Sequence, residues 1–523
     1  GQLATVTDAR GLTLRYSYDN LGRLVKTTNA DGNPLLSNTW DTVQQGQLSK
    51  AVKWVDGKEF IDRTDAYDTA GRPTQQTTVV PEIPGLVSAA IAGEYVVETS
   101  YNPDGSVKTR TLPAAGQLSP ETLSYTYTDA GLSKTLTGKI GTTSASLVQN
   151  TYYDELGETA GFMGGTVTGK SVLVTFSREQ STRRVIHTSL GRQVKPGGDQ
   201  TQEIRWDNAG NMTQILTQPT EGQVDNQCFA YDALRQLTEA WTPAGETCDP
   251  ATRTQADLAG PAPYWTTWQN DVVGRTSQRI DRTKTTSATT AFSYPGDAVA
   301  QPHFITQAVT TGSDGTTATK TYATDAAGNT TSRPGPSGQT QTLEWDQLGD
   351  LTKVSENGSQ TARMVYAADG TRVIRQEGGK TTLYVGGAEI SQTSAGAASA
   401  VRYYSLAGLV VALRTGDNPE QTITLVPDFQ NTVLHQIDNA TGELRTIRQT
   451  PSGDSRGQTP DGWVGERGFV GGDKDSTGLT RIGVSYYDPT LGRFITPTPA
   501  LNPDDPLSWN TYAPVNTTGR VIR

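Results

Sequence analysis

The residues of this chain with the most evident chemical potential lie between Gly468 and Ala500, in the sequence GFVGGDKDSTGLTRIGVSYYDPTLGRFITPTPA. The order of Asp473–Thr477 is aspartate, spacer, aspartate, spacer, threonine, which one class of phosphatases uses to present an aspartate nucleophile. That chemistry needs the end of a parallel strand within alternating strands and helices. The sequence has no such alternation, so it does not predict a phosphatase.

The same segment also begins like a calcium-binding loop. Oxygen-bearing side chains occupy loop positions 1, 3 and 5, and Gly478 occupies position 6. Position 12, where a bidentate glutamate is needed, is Val484. Asp488 in the following YYDP stretch offers a carboxylate for acid catalysis, but the spacing places no partner carboxylate beside it. We therefore expect no metal ion and no cofactor.

Two cysteines and three histidines are the other residues with metal-binding or redox chemistry. Cys228 and Cys248 stand twenty positions apart, and His187, His303 and His435 are isolated from each other. Because no Cys-x-x-Cys pair or Cys/His cluster is present, zinc is not expected. In an exported protein the cysteines can form a disulfide, and otherwise they are two ordinary small residues. The sequence leaves both alternatives open.

These residues are embedded in a repeated pattern. It consists of an aromatic residue, Asp, two variable residues, Gly, a polar residue and an apolar residue, as in YDNLGRL. Two closely spaced copies begin 21 residues apart, at Trp345 and Tyr366. The copies that begin with an aromatic residue start at Tyr18, Tyr67, Tyr153, Trp206, Tyr231, Trp345 and Tyr366, and further copies start at Asn270 and Thr324.

The repeat predicts an all-β fold. Asp can bond to its own downstream backbone, and the Gly three positions later supplies a positive φ where the chain reverses. The flanking residues alternate between apolar and polar, as in LTLRYSY before Asp19, which is typical of a half-buried strand. Each copy is therefore a β-hairpin, and successive hairpins pair sideways into one long sheet. We expect the aromatic residues at the repeat starts to stack between successive turns of this sheet.

The composition supports this fold and excludes several functions. Only 34% of the 523 residues are hydrophobic and 19% are charged. The net charge of −10 argues against nucleic-acid binding, and no apolar run is long enough to span a membrane. The chain begins inside a repeat, so we expect it to be a fragment of a longer protein. Pro81–Tyr95 and Gly245–Gln269 interrupt the repeat and are interpreted as loops, a docking surface or strands with degenerate turns.

The series of turns resembles the YD repeats of RHS proteins, which teneurins and the C component of insecticidal Tc toxins share. The resemblance covers Asp8 to about Asn516, which is nearly the whole chain. It implies repeated β-hairpins in a continuous spiralling sheet that closes into a hollow shell, or cocoon. It also implies two parts, a repeat shell over residues 1–425 and an RHS-associated core over residues 426–523 that forms a C-terminal plug.

The stretch between Gly468 and Ala500 resembles the conserved core that ends an RHS shell. It is preceded by Val426–Leu444, which resembles the usual strand-turn segment, with Asn431 at the glycine position. An N-x-Y segment follows it. The positions that match the core are Phe469, Asp475, Gly478, Tyr487, Asp488, Pro489, Gly492, Arg493, Phe494, Asn510 and Tyr512.

In relatives that carry a toxin, this core is an aspartyl autoprotease in which two aspartates share a proton and an arginine supports them. Arg493 matches the arginine. Thr498 stands at the first aspartate position and Thr517–Thr518 at the second, and threonine carries no titratable acid. Asp504 and Asp505 lie nearby as displaced carboxylates. The resemblance therefore predicts a core whose self-cleavage is lost or altered, with an active protease that uses Asp504 and Asp505 as the alternative.

The resemblance implies a structural and protective function. The expected protein is a bacterial shell, secreted or at the cell surface, that encapsulates a C-terminal toxin or effector domain for export and delivery. Its expected partners are that toxin cargo in cis, an immunity protein and a secretion or delivery apparatus. The alternative is a teneurin-like cell-surface adhesion or carbohydrate-binding module.

Overall fold

The computed structural model describes residues 1–251, 253–296, 301–393, 396–497 and 510–513. In these ranges hairpins follow one another directly along the chain, and almost every strand pairs antiparallel with the strands before and after it. The predicted all-β fold is therefore confirmed. The sheet is interrupted between Thr321 and Ala323, which separates a sheet of 24 strands from a sheet of 13.

The 24 strands of the first sheet are β1 Thr5–Thr7, β2 Thr13–Tyr18, β3 Leu24–Asn29, β4 Pro34–Trp40, β5 Leu48–Val55, β6 Lys58–Tyr67, β7 Pro73–Val80, β8 Gly93–Tyr101, β9 Val107–Leu112, β10 Glu121–Tyr127, β11 Ser133–Ile140, β12 Thr143–Tyr153, β13 Thr159–Gly164, β14 Val172–Arg178, β15 Val185–Arg192, β16 Gln200–Trp206, β17 Met212–Pro219, β18 Asp225–Tyr231, β19 Leu237–Trp241, β20 Trp265–Asn270, β21 Thr276–Arg282, β22 Ser287–Ser293, β23 Gln307–Gly312 and β24 Thr317–Thr321.

The 13 strands of the second sheet are β25 Ala323–Thr324, β26 Thr330–Pro334, β27 Thr340–Trp345, β28 Leu351–Glu356, β29 Ser359–Tyr366, β30 Arg372–Glu377, β31 Lys380–Val385, β32 Ala388–Thr393, β33 Ser399–Leu406, β34 Leu409–Arg414, β35 Thr422–Pro427, β36 Val433–Asp438 and β37 Leu444–Thr446. Two small sheets follow, β38 Arg448–Gln449 with β39 Ser455–Arg456, and β40 Asp473–Lys474, β41 Thr480–Ile482, β42 Ser485–Asp488 and β43 Arg493–Phe494. Short 3₁₀ segments span Pro419–Gln421 and Phe469–Gly471. We call the two long sheets, β1–β37, the wall.

Where the Asp-x-x-Gly pattern occurs, it closes a hairpin in the way that the sequence predicts. In the first copy, the carboxylate of Asp19 accepts hydrogen bonds from the backbone N–H groups of Leu21 and Arg23, both at 2.9 Å. Gly22 has a φ of 82°. Two copies lack the glycine, and there Arg235 and Asn431 both adopt a φ of 65°. The turn therefore fixes the backbone conformation even where the residue is unfavourable for it.

The repeat aromatics bind backbone carbonyl groups of the preceding hairpin. The hydroxyl of Tyr18 donates to the carbonyl of Leu3 at 2.9 Å, and the indole N–H of Trp206 donates to Val185 at 2.8 Å. A ring contact between successive turns of the coil occurs at Trp206 of the first sheet, whose ring lies edge-on to Phe429 of the second at 6.2 Å. For the other repeat aromatics the expected stacking stays a prediction. The polar tip of each of these rings also ties one hairpin to the preceding one.

The second sheet runs along the first in the same direction. Residues along the first sheet contact successively later residues along the second. Arg10 donates to the carbonyl of Asp346 at 2.9 Å, and the ammonium of Lys53 binds Asp350 at 2.6 Å. Gln117 donates to the carbonyl of Ala400 at 2.9 Å, and Arg456, beyond β37, binds Asp225 at 2.9 Å. This order of contacts is that of a strip that coils alongside itself. Large hydrophobic clusters contain residues of both turns of the coil.

The segments predicted to interrupt the repeat fasten the coil. Residues between β7 and β8 bury Ile83 and Leu86 in a cluster that includes residues of β30–β32. Residues between β19 and β20 are joined to β18 by a disulfide between Cys228 and Cys248, which resolves the alternative left open by the sequence. The predicted boundary after residue 425 stays a prediction, and β35 runs across it.

Candidate functional site

Four short strands, β40–β43, form a small antiparallel meander that we call the plug sheet. Asp473 pairs with Arg481 between β40 and β41, and Tyr487 pairs with Thr480 of β41 and with Phe494 of β43. The plug sheet and its turns contain most of the residues predicted for the RHS-associated core. Its contacts with the wall determine what this site can do.

Asp475 begins a turn of the repeat type. Its backbone N–H donates to the carbonyl of Leu479 at 2.8 Å, and the N–H of Gly478 donates to the carbonyl of Asp475 at 3.1 Å. The carboxylate of Asp475 is fully buried and binds Arg372 at 2.9 Å and Arg375 at 2.6 Å, both on β30 of the wall. Two guanidinium groups already neutralise this carboxylate, so the structure supports the rejection of a calcium loop.

Asp488 makes the second buried attachment of the plug sheet to the wall. One of its oxygens binds Arg333 of β26 at 2.9 Å. The other accepts hydrogen bonds from the backbone N–H and the hydroxyl of Thr490, at 2.9 and 2.6 Å. Pro489 lies in this turn, and Gly492 ends it with a φ of 68°. The Asp488–Pro489 pair of the core motif thus lies in a turn, and the carboxylate of Asp488 also attaches this turn to the wall.

Aromatic side chains pack beneath the plug sheet. The ring of Tyr487 stacks on Phe469 at 5.6 Å and meets Phe494 edge-on at 5.6 Å. The hydroxyl groups of Tyr486 and Tyr366 are 2.9 Å apart, which joins the plug sheet directly to a repeat aromatic of the wall. The core motif is therefore a set of packing and pairing residues.

Arg493 lies at the other end of the plug sheet. Its guanidinium donates to the carbonyl of His303 at 2.6 Å and lies 4.9 Å from the ring centre of Tyr512. Burial lowers the pKa of Arg493, and the neighbouring Tyr294 and Tyr512 oppose this effect. Among the residues that the structure describes, no carboxylate forms an ion pair with it. The site presents a desolvated cation without a described counter-ion, which is suited to orient a carboxylate.

The N-x-Y segment returns to the same place. The backbone N–H of Phe494 donates to the carbonyl of Tyr512 at 2.9 Å, and the hydroxyl of Tyr512 donates to the carbonyl of Gly328 at 2.7 Å. The side-chain amide of Asn510 donates to the carbonyl of Gly274 at 3.5 Å, a long contact. The structure thus brings Arg493, Asn510 and Tyr512 together against the wall.

A second group of titratable side chains lies around the attachment of Asp475. Burial raises the pKa of Glu389 to about 8, and the nearby charges of Glu466 and Asp473 raise it further. Burial also raises the pKa of Asp473 against the opposing effect of Arg467. This interface between plug and wall is therefore largely buried and rich in charge.

Asp504 and Asp505, together with Thr498 and Thr517–Thr518, lie outside the described residues. Their assignment as displaced catalytic acids and as lost acid positions stays a prediction.

The partners of the plug were not predicted. Arg333, Arg372 and Arg375 belong to the wall and lie 155, 103 and 100 residues before the aspartates that they bind. Each follows or lies within an ordinary hairpin, and no local pattern marks it. The sequence does show that Asp475 and Asp488 lie in turn motifs, where a carboxylate is available to form an ion pair with another residue.

A family model described as RHS Repeat matches residues 1–34. The first 34 residues thus match an RHS repeat. In fold it is similar to the crystal structure of TcdB2–TccC3–Cdc42, with a TM-score of 0.70 and 17% identity over 97% of the chain. The crystal structure of TcdB2–TccC3 gives a TM-score of 0.69 at 17% identity, also over 97% of the chain. A variant Tc holotoxin pore of Photorhabdus luminescens gives 0.70 at 17% identity over 97% of the chain.

The chain spans about a quarter of the length of the matched chains, 26% of the first and third and 27% of the second. At this identity the likeness shows the fold. No curated protein matches the chain in sequence. In the part of the chain that the structure describes, no helix is long and apolar enough to cross a membrane.

Proposed function

We propose that this protein is the wall and C-terminal plug of an RHS shell that encapsulates a toxin or effector domain for export and delivery. The cargo is the part of the polypeptide that follows the plug. An immunity protein and a delivery apparatus belong to the same proposal, as does a bacterial, secreted or cell-surface location. The function is containment, so the decisive chemistry is the attachment of plug to wall.

The observation that carries this proposal is the buried pairing of the core motif with the wall. Asp475 and Asp488 have side chains that are 0% and 2% exposed, and each binds arginine from the second sheet. The ion pairs of a surface loop are exposed, and exposed pairs stabilise a structure by only about 0–1 kcal/mol. Ion pairs that are as buried as these two are therefore not expected for a surface loop. Burial of both partners is what a plug that must stay seated requires.

Protease protection tests the proposal. The native gene product, expressed with any sequence that follows Arg523, is digested with proteinase K under native conditions. The C-terminal region should survive in the wild-type protein and be degraded in an Asp488→Asn variant, which leaves Arg333 buried without a counter-charge. Glu344→Gln is the control, because Glu344 forms an exposed pair with Lys353. Degradation of the C-terminal region at the same rate in wild type and Asp488→Asn contradicts containment.

We further propose that self-cleavage of the core is lost or altered. The support is that neither expected aspartate is matched in the sequence, while Arg493 is. The intact mass of the native gene product should be a single uncut mass. A break near Gly519–Arg523 that disappears in an Asp504→Asn, Asp505→Asn double variant would instead establish an active protease with displaced acids.

A further inference from the structure

The buried attachment of Asp475 contains one carboxyl group without a charged partner. Glu389 lies on β32 and is 7% exposed. Its chain neighbours Ala388 and Ile390 pack into the cluster that holds the segment between β7 and β8. Because successive side chains of a strand point to opposite faces of the sheet, Glu389 points to the face that carries the plug.

That face is crossed by residues 466–475, which lead into the plug sheet and which we call the plug segment. Glu389 pairs with Tyr384 of β31 and with Val401 of β33, and cross-strand neighbours share a face. The hydroxyl of Tyr384 donates to the carboxylate of Glu466 at 3.4 Å, and the hydroxyl of Tyr403 accepts the backbone N–H of Glu466 at 3.0 Å. Glu389 therefore lies where the plug segment meets the wall.

The cations of this region are bound by other carboxylates. Within the described ranges, Glu389 forms no ion pair and no side-chain hydrogen bond. Four carboxylates already balance four cations, so a fifth carboxylate has no partner and its burial favours the protonated form. The ion pairs are Arg372 with Asp473 and Asp475, Arg375 with Glu377, Glu466 and Asp475, Lys380 with Glu466, and Arg467 with Asp473.

The groups that face Glu389 come from both the wall and the plug segment. Burial raises the pKa of Glu389 to about 8, and the charges of Glu466 and Asp473 act in the same direction. The guanidinium groups of Arg467 and Arg375 oppose this effect, and the two tyrosines complete the surroundings. Two of the charges that disfavour ionisation thus belong to the plug segment, and they leave with it.

We propose that Glu389 couples the seating of the plug to a proton, so that the plug is held firmly while this carboxyl group is neutral and loosens as it ionises. When the plug segment leaves, Glu389 meets water and regains the ordinary pKa of 4.5. Between this value and about 8, the seated plug therefore binds one proton more than the unseated plug. Its attachment is strongest at the acidic end of this range, weakens by up to about tenfold per pH unit, and levels off above about pH 8.

Amide hydrogen exchange of the full-length protein tests this coupling. The reporters are the backbone N–H groups of Glu466 and Val470, which donate to Tyr403 and Thr432 of the wall region. Their protection is taken relative to the exchange rate of an unstructured chain at each pH. It should fall at least about tenfold from pH 6 to pH 8, while the protection of β2–β5 should not fall.

Two uncharged variants assign the effect to Glu389. In Glu389→Gln, the protection of both reporters at pH 8 should stay within about threefold of its value at pH 6. The remainder belongs to Asp473, whose pKa burial also raises. Glu389→Met, with an uncharged side chain of similar length, should behave in the same way. Glu344→Gln is the matched control, because it changes an exposed glutamate of the second sheet, and it should retain the wild-type pH dependence.

Three results overturn the proposal. Protection in the wild-type protein that is equal at pH 6 and pH 8, or higher at pH 8, shows that seating takes up no proton. An equal loss in the wild-type protein and in both variants of Glu389 assigns the pH dependence to other groups. A loss that extends to β2–β5 shows general unfolding instead of unseating. The coupling itself requires no cargo, and only its meaning as a control of containment rests on the proposed function, which protease protection tests separately.

Discussion

At the scale of single residues, the repeat is an interlocking unit in which Gly210 is required for two reasons. Gly210 has a φ of 90°, and a methyl group at this position would come within 2.5 Å of the guanidinium of Arg184. That guanidinium lies 5.8 Å from the ring centre of Trp206 and donates to the carbonyl of Asp207 at 3.2 Å. The glycine thus allows both the turn and the close approach of an arginine that connects neighbouring hairpins.

Replacing Gly210 by alanine should therefore destabilise the protein more than the same change at Gly349. Gly349 has a φ of 88° but no atom within 4 Å of the added methyl group. Gly349→Ala should cost only the backbone term, about 1–2 kcal/mol. Gly210→Ala should cost a further ~1 kcal/mol for the displaced cation–π and hydrogen-bond contacts of Arg184. Denaturant midpoints followed by tryptophan fluorescence measure both, and equal midpoints would refute the steric role of Arg184.

The buried His435 should make stability depend on pH. Its pKa in the folded protein is about 4 against an ordinary 6.5, so the folded state binds fewer protons than the unfolded state. The stability is fully present above pH 6.5 and is lost as the pH falls towards 4. At pH 5, about 1.5 units below the ordinary pKa, the loss is about 2 kcal/mol. In His435→Gln, the loss of unfolding free energy between pH 7 and pH 5, obtained from denaturant unfolding, should be smaller by this amount. A loss equal to that of the wild-type protein contradicts the prediction.

The sequence predicted the turn of each repeat, because the conformation of a turn depends on residues that are neighbours along the chain. The Asp-x-x-Gly word places Asp19 and Gly22 within a single hairpin, where propensity decides the conformation. The role of the residue after the glycine was missed, although Arg23, Arg72 and Arg275 recur in that position. The hydrogen bonds of the aromatic side chains were also missed, because each ring has a polar tip with a backbone acceptor in reach. The indole N–H of Trp206, for example, donates a hydrogen bond to the carbonyl of Val185.

At the scale of elements, inserted segments connect the turns of the coil. The segment between β19 and β20 packs Leu258 against Trp241 of β19. Its residue Ala262 accepts a hydrogen bond from Arg456 at 2.8 Å, and Arg456 lies on β39, which leads to the plug sheet. The disulfide between Cys228 and Cys248 fixes this segment to β18. It therefore stabilises the approach to the plug as well as the insert.

Reduction of this disulfide should loosen the insert. The bond closes a loop with a sequence separation of 20, for which the chain-entropy model gives about 3 kcal/mol. With a reductant, amide hydrogen exchange should rise between β19 and β20 and at β39, and not in β2–β5. Cys248→Ser is the control and should show the raised exchange without reductant and no further response to it. Exchange that is unaffected by reduction in the wild-type protein would show that packing alone holds the insert.

The residues of the plug sheet could be predicted from the sequence as a group. Resemblance marked Asp475, Asp488 and Arg493 as a group, and the structure places all three at one small sheet. Their roles differ, and this followed only from the wall. In the sequence, an aspartate in a turn motif looks the same whether its carboxylate faces water or, as in Asp475, two buried arginines.

At the scale of the whole molecule, the two turns of the coil are held together by buried charge as well as by apolar packing. Glu121 of β10 is completely buried and binds Arg402 of β33 at 3.2 Å and Arg414 of β34 at 3.3 Å. The sequence separation between Glu121 and Arg402 is 281 residues. Such a pairing is invisible to local patterns, because any glutamate in a strand could be solvated. It forms only once the coil has brought its second turn beside the first.

This pairing predicts that one substitution loosens two distant parts of the coil together. Glu121→Gln leaves two buried guanidinium groups without a counter-charge, which should cost about 3–5 kcal/mol. Amide hydrogen exchange should therefore increase in β10 and in β33–β34 together, while β2–β5 remain protected. Glu59→Gln removes an exposed partner of Lys50 and should cost no more than about 1 kcal/mol. If exchange rises in β10 but stays unchanged in β33–β34, the two turns are joined by packing, and the buried charges only neutralise each other.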